Sequence, residues 1–304
     1  MDVGWIGTGR MGTAMVERLF GTDVALTVWN RTPAKAEPLR ERGAAVAGSL
    51  AELRGAPIVF TMVADDAALE AVLTGDGGLL AGDRVPDVIV DCSTVSPEGS
   101  AAVRRACAER GAAFLAAPVS GNPGAVRAGR LAIAVSGPRD AYDRAAPLLA
   151  RIAGSVTYMG DGDSARLVKI AHNLLLGVLT QALAEVSVLA EKGGVPRHAL
   201  LDFLNNSVLG SVFTRYKTPA FVKLDFTPTF TPPLLKKDFD LGLTAADGMD
   251  VPMPVVEQTA RLIQSLVEDG HVDEDFAVLL TQQAAAAGLK LAPEKVDVDD
   301  GLQS

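Results

Sequence analysis

Cysteine is nearly absent: Cys92 and Cys107 are the only two in 304 residues. Two isolated thiols without ligand spacing exclude a disulfide framework and a cysteine-based metal centre. Basic residues are outnumbered, 28 Lys and Arg against 37 Asp and Glu, for a formal net charge of -9. That balance disfavours non-specific attraction to nucleic acid or anionic membrane, so any bound anion must be gripped locally. Long unbroken apolar runs are missing as well. The most apolar stretch, LLLGVLTQALAEVSVLAEKGG, is interrupted by Gln181, Glu185 and Glu191, short of the ~18 uninterrupted apolar residues of a membrane span. The start, MDVGWIG, has neither the basic region nor the apolar region of a secretory signal. A cytoplasmic protein is expected.

What is present points to a sizeable core. Hydrophobic residues make up 48% of the chain and charged residues 21%. The length suits two domains, since single cores seldom grow past ~250 residues. Up to about residue 160, short apolar runs (VGWI, ALTVWN, PIVFTM, DVIVDC, AFLAAP, LAIAVSG, SVTYMG) alternate with helical patterns, as in a parallel sheet with crossover helices. Beyond Tyr158 the strand pattern stops. One helical run covers 165 to about 192 and ends at Gly193 and Gly194, where a left-handed cap is expected. Further helices are expected near 196–205, 211–223, 234–248, 254–269 and 273–289. FTPTFTPPLL reads as an ordered loop because it carries two phenylalanines, and the polar end after Ala292 reads as frayed. The expected fold class is α/β: a Rossmann-like, doubly wound, mostly parallel sheet over 1–162, then an all-α domain over 163–292 joined through one long helix, then a polar tail over 293–304.

GWIGTGRMG sets Gly7, Gly9 and Gly12 in G-x-G-x-x-G spacing between the first strand and the first helix. Gly7 permits a tight turn, Gly9 lets backbone approach a pyrophosphate, and Gly12 lets helix and strand pack, with the anion on the helix N-terminus. Thr8, Arg10 and Met11 belong to the same loop. The next strand ends in Asn30, Arg31 and Thr32, where an NAD site usually carries the Asp or Glu that accepts from the ribose 2′-hydroxyl. Exchanging a carboxylate for a guanidinium and a hydroxyl suits a 2′-phosphate, so NADP is favoured over NAD. Arg31 is also what a solvated turn residue looks like.

Lys169 and Asn173, in KIAHN, stand four apart within the apolar helical run. That spacing puts both on one helix face, and both are costly to bury without partners. Carbonyl reduction needs a proton delivered to oxygen, which an ammonium can supply while stabilising the charge that develops there.

With these motifs in order, the sequence resembles the β-hydroxyacid dehydrogenase family, which includes 3-hydroxyisobutyrate dehydrogenase and the glyoxylate/succinic semialdehyde reductases. GWIGTGRMG, DCSTVSP at 91–97, APVSGNPGAVRAGRL at 117–131, KIAHN at 169–173 and KDFDL at 237–241 carry the likeness to about Leu289. The resemblance implies that Met62, Val63 and Ala64 line the path of the cofactor, with Ser93 and Thr94 near its nicotinamide and Lys237 reaching back to it. It implies a substrate carboxylate held by Ser120, Gly121 and Asn122, Lys169 as general acid and base, and Asn173 on the substrate hydroxyl. The substrate would lie between two domains, and the enzyme would be a homodimer. Ala64 stands where proline is frequent, and Asn122 where glycine is common. Asp238 is expected to brace Lys237. The glycines Gly160 and Gly162 lie further from Lys169 than in the family, and Arg166 falls nearer the familiar spacing. Two other readings are an imine reductase of the same architecture and a catalytically silent NADP-binding protein.

Overall fold

The computed structural model describes residues 1–302. Two compact units divide inside the long helix, after Lys169.

In the first unit six parallel strands lie in the order β3-β2-β1-β4-β5-β6, with β1 at Asp2–Ile6, β2 at Ala25–Trp29, β3 at Ala45–Val46, β4 at Ile58–Thr61, β5 at Val88–Asp91 and β6 at Ala113–Ala116. Burial on both faces explains their unbroken apolar runs. On β4 and β5, Ile58, Phe60, Val88 and Val90 enter one core cluster while Val59 and Ile89 enter the other, the two-residue period of a strand. A smaller sheet follows, β7 (Val119–Ser120) antiparallel to β8 (Ala132–Val135), and β8 parallel to β9 (Ser155–Tyr158). An isolated antiparallel bridge, Ala116 to Ser136, joins it to the end of β6. The strands β3 and β7 are two residues each, too short to show alternation, and are absent from the sequence reading.

Packing at β1 shapes the loop that follows it. Trp5 is fully buried and stacks on Phe60, with ring centroids 5.2 Å apart, because β1 and β4 pair these residues in register. Its indole N–H then needs an acceptor, which the Gly7 carbonyl provides at 2.9 Å.

The second unit is helical. The helix Ser164–Lys192 enters it and ends in a Schellman motif: Gly194 takes φ +83°, and the N–H groups of Val195 and Gly194 donate to the carbonyls of Ala190 and Glu191. By length and composition this helix could cross a membrane, but half of its most apolar window is buried within the protein. Helices follow at Arg197–Asn206, Val212–Lys223, Pro232–Asp247, Pro254–Glu268 and Leu279–Ala286, the last preceded by a 3₁₀ turn at Phe276–Val278. FTPTF is ordered: the carbonyls of Phe226 and Phe230 accept from the N–H groups of Asp275 and Phe276. Buried Asp275 pairs with buried Lys217 and accepts from both the N–H and the hydroxyl of Thr229.

The reading of the C-terminal end as frayed is corrected. Glu294 accepts from the N–H groups of Arg197 and His198 and from His198 Nδ1 at 2.7–3.0 Å. Val296 and Val298 pack against the helical core. A polar stretch stays ordered when its carboxylate and alternate valines find buried partners.

Candidate functional site

Four parallel strands, β1, β2, β4 and β5, end in Ile6, Trp29, Thr61 and Asp91, and the carboxyl edge they share is where open α/β sheets bind ligands. The glycine loop leaves β1 there. Gly7 has φ +97°, and a Cβ on it would lie 2.2 Å from the Met62 carbonyl. A Cβ on Gly12 would lie 2.0 Å from the Gly7 carbonyl, whereas one on Gly9 would meet nothing within 4 Å. The loop is therefore closed by protein at Gly7 and Gly12 and open at Gly9. Gly9 is also the N-cap of the helix Arg10–Glu17 and supplies no side-chain cap, so the helix dipole faces open space. These features fit a dinucleotide pyrophosphate. Arg10 is exposed, and Thr8 and Gly12 are buried. Met11 and Met62 pack partly against the core.

At the end of β2 the structure separates Asn30 from its neighbours. The Asn30 carboxamide oxygen accepts from the Thr8 N–H at 2.9 Å and its nitrogen donates to the Thr32 carbonyl. Asn30 thus braces the glycine loop from the end of β2. Arg31 and Thr32 are exposed.

At the end of β5 the structure holds a network that the sequence reading missed. Asp91 is fully buried and accepts from the hydroxyls of Thr61 and Ser93 at 2.6 Å. Its other oxygen pairs with Arg166, whose side chain is 1% exposed. The Ser93 hydroxyl also accepts from the Val63 N–H at 2.9 Å. The Ser93 hydroxyl is therefore engaged within the protein. Thr94 is half-buried and Ala64 exposed. Ser96, rather than Ser93 or Thr94, caps the helix Pro97–Glu109. Burial pushes the Cys92 thiol well above its ordinary range, with Asp91 adding to the shift and Arg166 opposing it, so Cys92 is no nucleophile.

Ser120 ends β7, and Gly121 takes φ +137°. The Asn122 side-chain oxygen accepts from the Ala125 N–H at 2.8 Å and caps the helix Pro123–Arg127. Asn122 shapes the turn through that oxygen, leaving its amide N–H₂ as the donor end.

Lys169 is half-buried and Asn173 is 4% exposed, both within Ser164–Lys192. The Asn173 carboxamide donates to Asp238 Oδ2 at 2.5 Å, and its oxygen lies 2.9 Å from His172 Nδ1. Asp238 also stands 3.7 Å from the Lys237 ammonium. The expected brace of Lys237 therefore holds Asn173 too. Arg166 at the family's spacing is accounted for by its ion pair with Asp91.

Comparison with known proteins gives the family. Residues 2–160 match the family model for the NAD binding domain of 6-phosphogluconate dehydrogenase. Residues 163–282 match that for the NAD-binding region of NADP-dependent 3-hydroxyisobutyrate dehydrogenase. The uncharacterized oxidoreductase YfjR of Bacillus subtilis is 34% identical over 92% of this chain and 99% of its own. The 3-hydroxyisobutyrate dehydrogenase of Pseudomonas aeruginosa is 31% identical over 91% and 96%. Among solved structures, Mycobacterium tuberculosis 3-hydroxyisobutyrate dehydrogenase with L-serine superposes with a TM-score of 0.81 at 26% identity, covering 92% of this chain and 98% of that one. The chain belongs to the β-hydroxyacid dehydrogenase family of NAD(P)-dependent oxidoreductases acting on CH–OH groups.

Proposed function

We propose that the protein interconverts a small β-hydroxyacid and its semialdehyde or keto acid, prefers NADP, and uses Lys169 as general acid in reduction and general base in oxidation. The observation that carries this reading is the pair Lys169 and Asn173, one turn apart, with Asn173 buried and oriented by Asp238. A nicotinamide cofactor, when bound, would supply the hydride for the carbonyl carbon. The chain's own residues supply the rest. As the carbonyl oxygen gains charge, the Lys169 ammonium stabilises it and gives up a proton, so that C=O becomes CH–OH. In oxidation the neutral amine takes that proton back. Ser120, Gly121 and Asn122 hold the substrate carboxylate through backbone N–H groups and short side-chain donors, in a turn that the positive φ of Gly121 allows. Such local donors let an acidic protein bind an acid.

The preference for NADP rests on the end of β2. The strand ends in Asn30, which braces the glycine loop, with no carboxylate there for a ribose diol, while exposed Arg31 suits a 2′-phosphate. Gly7, Thr8, Gly9, Arg10, Met11 and Gly12 would hold the pyrophosphate side, Met62, Val63, Ala64 and Thr94 the nicotinamide side, and Lys237 would reach the cofactor. We place the enzyme in the cytoplasm as a homodimer, a state supported by the exposed apolar residues Leu175, Val186 and Leu189 on the long helix. NADPH oxidation with succinic semialdehyde, glyoxylate and related aldehydes, run beside a cyclic imine, tests the substrate class. Turnover of the imine alone would overturn it.

A further inference from the structure

We infer that Arg166 is a positioning residue for the reaction, one guanidinium that sets both the Ser93–Thr94 peptide and the helical turn leading to Lys169; this rests on the reading of Lys169 given above. Its three nitrogens reach three separate partners. Nη2 pairs with Asp91 at the end of β5, Nη1 donates to the Ser93 carbonyl at 2.5 Å, and Nε donates to Ser100 Oγ at 3.1 Å. The Ser93 carbonyl belongs to the peptide that delivers Thr94. Ser100 in turn donates to Asp163 Oδ1 at 2.7 Å, and Asp163 pairs with Arg104. The same first turn is held from another side, where the Ala165 N–H donates to Ser136 Oγ at 3.1 Å.

Lys169 follows Arg166 by three residues, so its Cα lies about 4.5 Å further along the helix axis, in the next turn. A shift of the first turn is therefore passed to Lys169 with little loss. A buried ion pair is not in itself an efficient stabiliser, because desolvation offsets most of the attraction and a well-packed apolar plug often serves as well. What the guanidinium adds is direction: a rigid planar fork that fixes three partners, which a lysine ammonium cannot reproduce. Misplacing a reacting group by an ångström can cost about 100-fold in rate.

The test uses the purified full chain. Arg166→Lys keeps the charge facing Asp91 but loses the fork, and Ser100→Ala keeps the ion pair but releases Nε and Asp163. Expected for Arg166→Lys is a kcat lower by about 10- to 100-fold, with a KM for NADPH that rises, through Thr94, by a clearly smaller factor than kcat falls, a split that a general loss of fold would not produce. Ser100→Ala is expected to lower kcat by a few-fold with the same split, and it decides the matter alone if Arg166→Lys does not fold. Parental kcat in the folded variants, or a fall in kcat matched by equal weakening of NADPH binding, overturns the inference. Lys169→Ala is measured in parallel. Full activity there would overturn the reading of Lys169, whereas an inactive Lys169→Ala beside a fully active Arg166→Lys would overturn the positioning role alone.

Discussion

Arg166 and Asp91 form an ion pair with side chains 1% and 0% exposed, three residues ahead of a half-buried lysine on the same helix. The pairing commits the cation at the familiar spacing to Asp91. In the proposed function the donor is Lys169, whose helix continues to Asn173, which Asp238 orients.

The glycine loop separates cofactor binding from folding. A methyl group at Gly9 meets no protein atom within 4 Å, while one at Gly12 would lie 2.0 Å from the Gly7 carbonyl. Gly9→Ala is expected to keep the parent Tm and weaken NADPH binding about tenfold or more, because the added methyl occupies space meant for the pyrophosphate. Gly12→Ala is expected to lower Tm as well. Thermal melts with and without NADPH check both.

Arg31→Asp tests the choice of cofactor. Losing a charge-assisted bond to a 2′-phosphate costs about 1.5–3 kcal/mol, roughly 10- to 100-fold in affinity. The KM for NADPH should rise by that factor while that for NADH changes little. Equal rises for both would remove the argument from the end of β2.

Lys217 and Asp275, with side chains 4% and 2% exposed, hold the loop from Phe226 to Phe230. Burial alone would push the Asp275 carboxyl up, but Lys217, Thr229 and the Ala277 N–H hold it below the usual carboxylate range. Asp275→Asn leaves Lys217 buried without its counter-charge and is expected to cost about 3–5 kcal/mol. Urea unfolding at pH 7 measures it, and a loss within ordinary surface scatter would contradict this role.

Much of this fold is legible in the sequence because its signals are local. Apolar runs mark the longer strands, glycine spacing marks the loop, and the Gly193–Gly194 pair marks the end of the long helix. What escapes is fixed by partners distant in the chain. Nothing near Arg166 reveals Asp91, and nothing near Ser93 shows that its hydroxyl turns inward to Asp91 and Val63. The ordered end after Ala292 depends on Arg197 and His198, and two-residue strands such as β3 are defined only by the neighbour they pair with. The lysine-to-asparagine step was visible, but not the carboxylate that orients the asparagine.

The clasp at Glu294 makes stability depend on acid pH. Burial raises this carboxyl, yet hydrogen bonds from the His198 side chain and from the backbone of His198 and Arg197, with the Arg197 charge, leave it below its ordinary value. A carboxyl depressed on folding stabilises fully above its unfolded value, near pH 4.3, and this contribution is lost as pH falls through the lower folded value. Glu294→Gln is expected to cost about 1 kcal/mol at neutral pH, with the difference from the parent shrinking below pH 4. Urea midpoints across pH 3–7 follow it, and a difference independent of pH would contradict the ionic clasp.

The most direct measurement is kcat for NADPH-dependent aldehyde reduction by Lys169→Ala, with NADPH affinity measured on the same preparation. The expected result is a fall of about 100- to 10,000-fold in kcat, the range for a lost general acid, with cofactor affinity within about twofold of the parent. Unchanged kcat with intact NADPH binding would contradict the assignment of Lys169 as the proton-transfer residue.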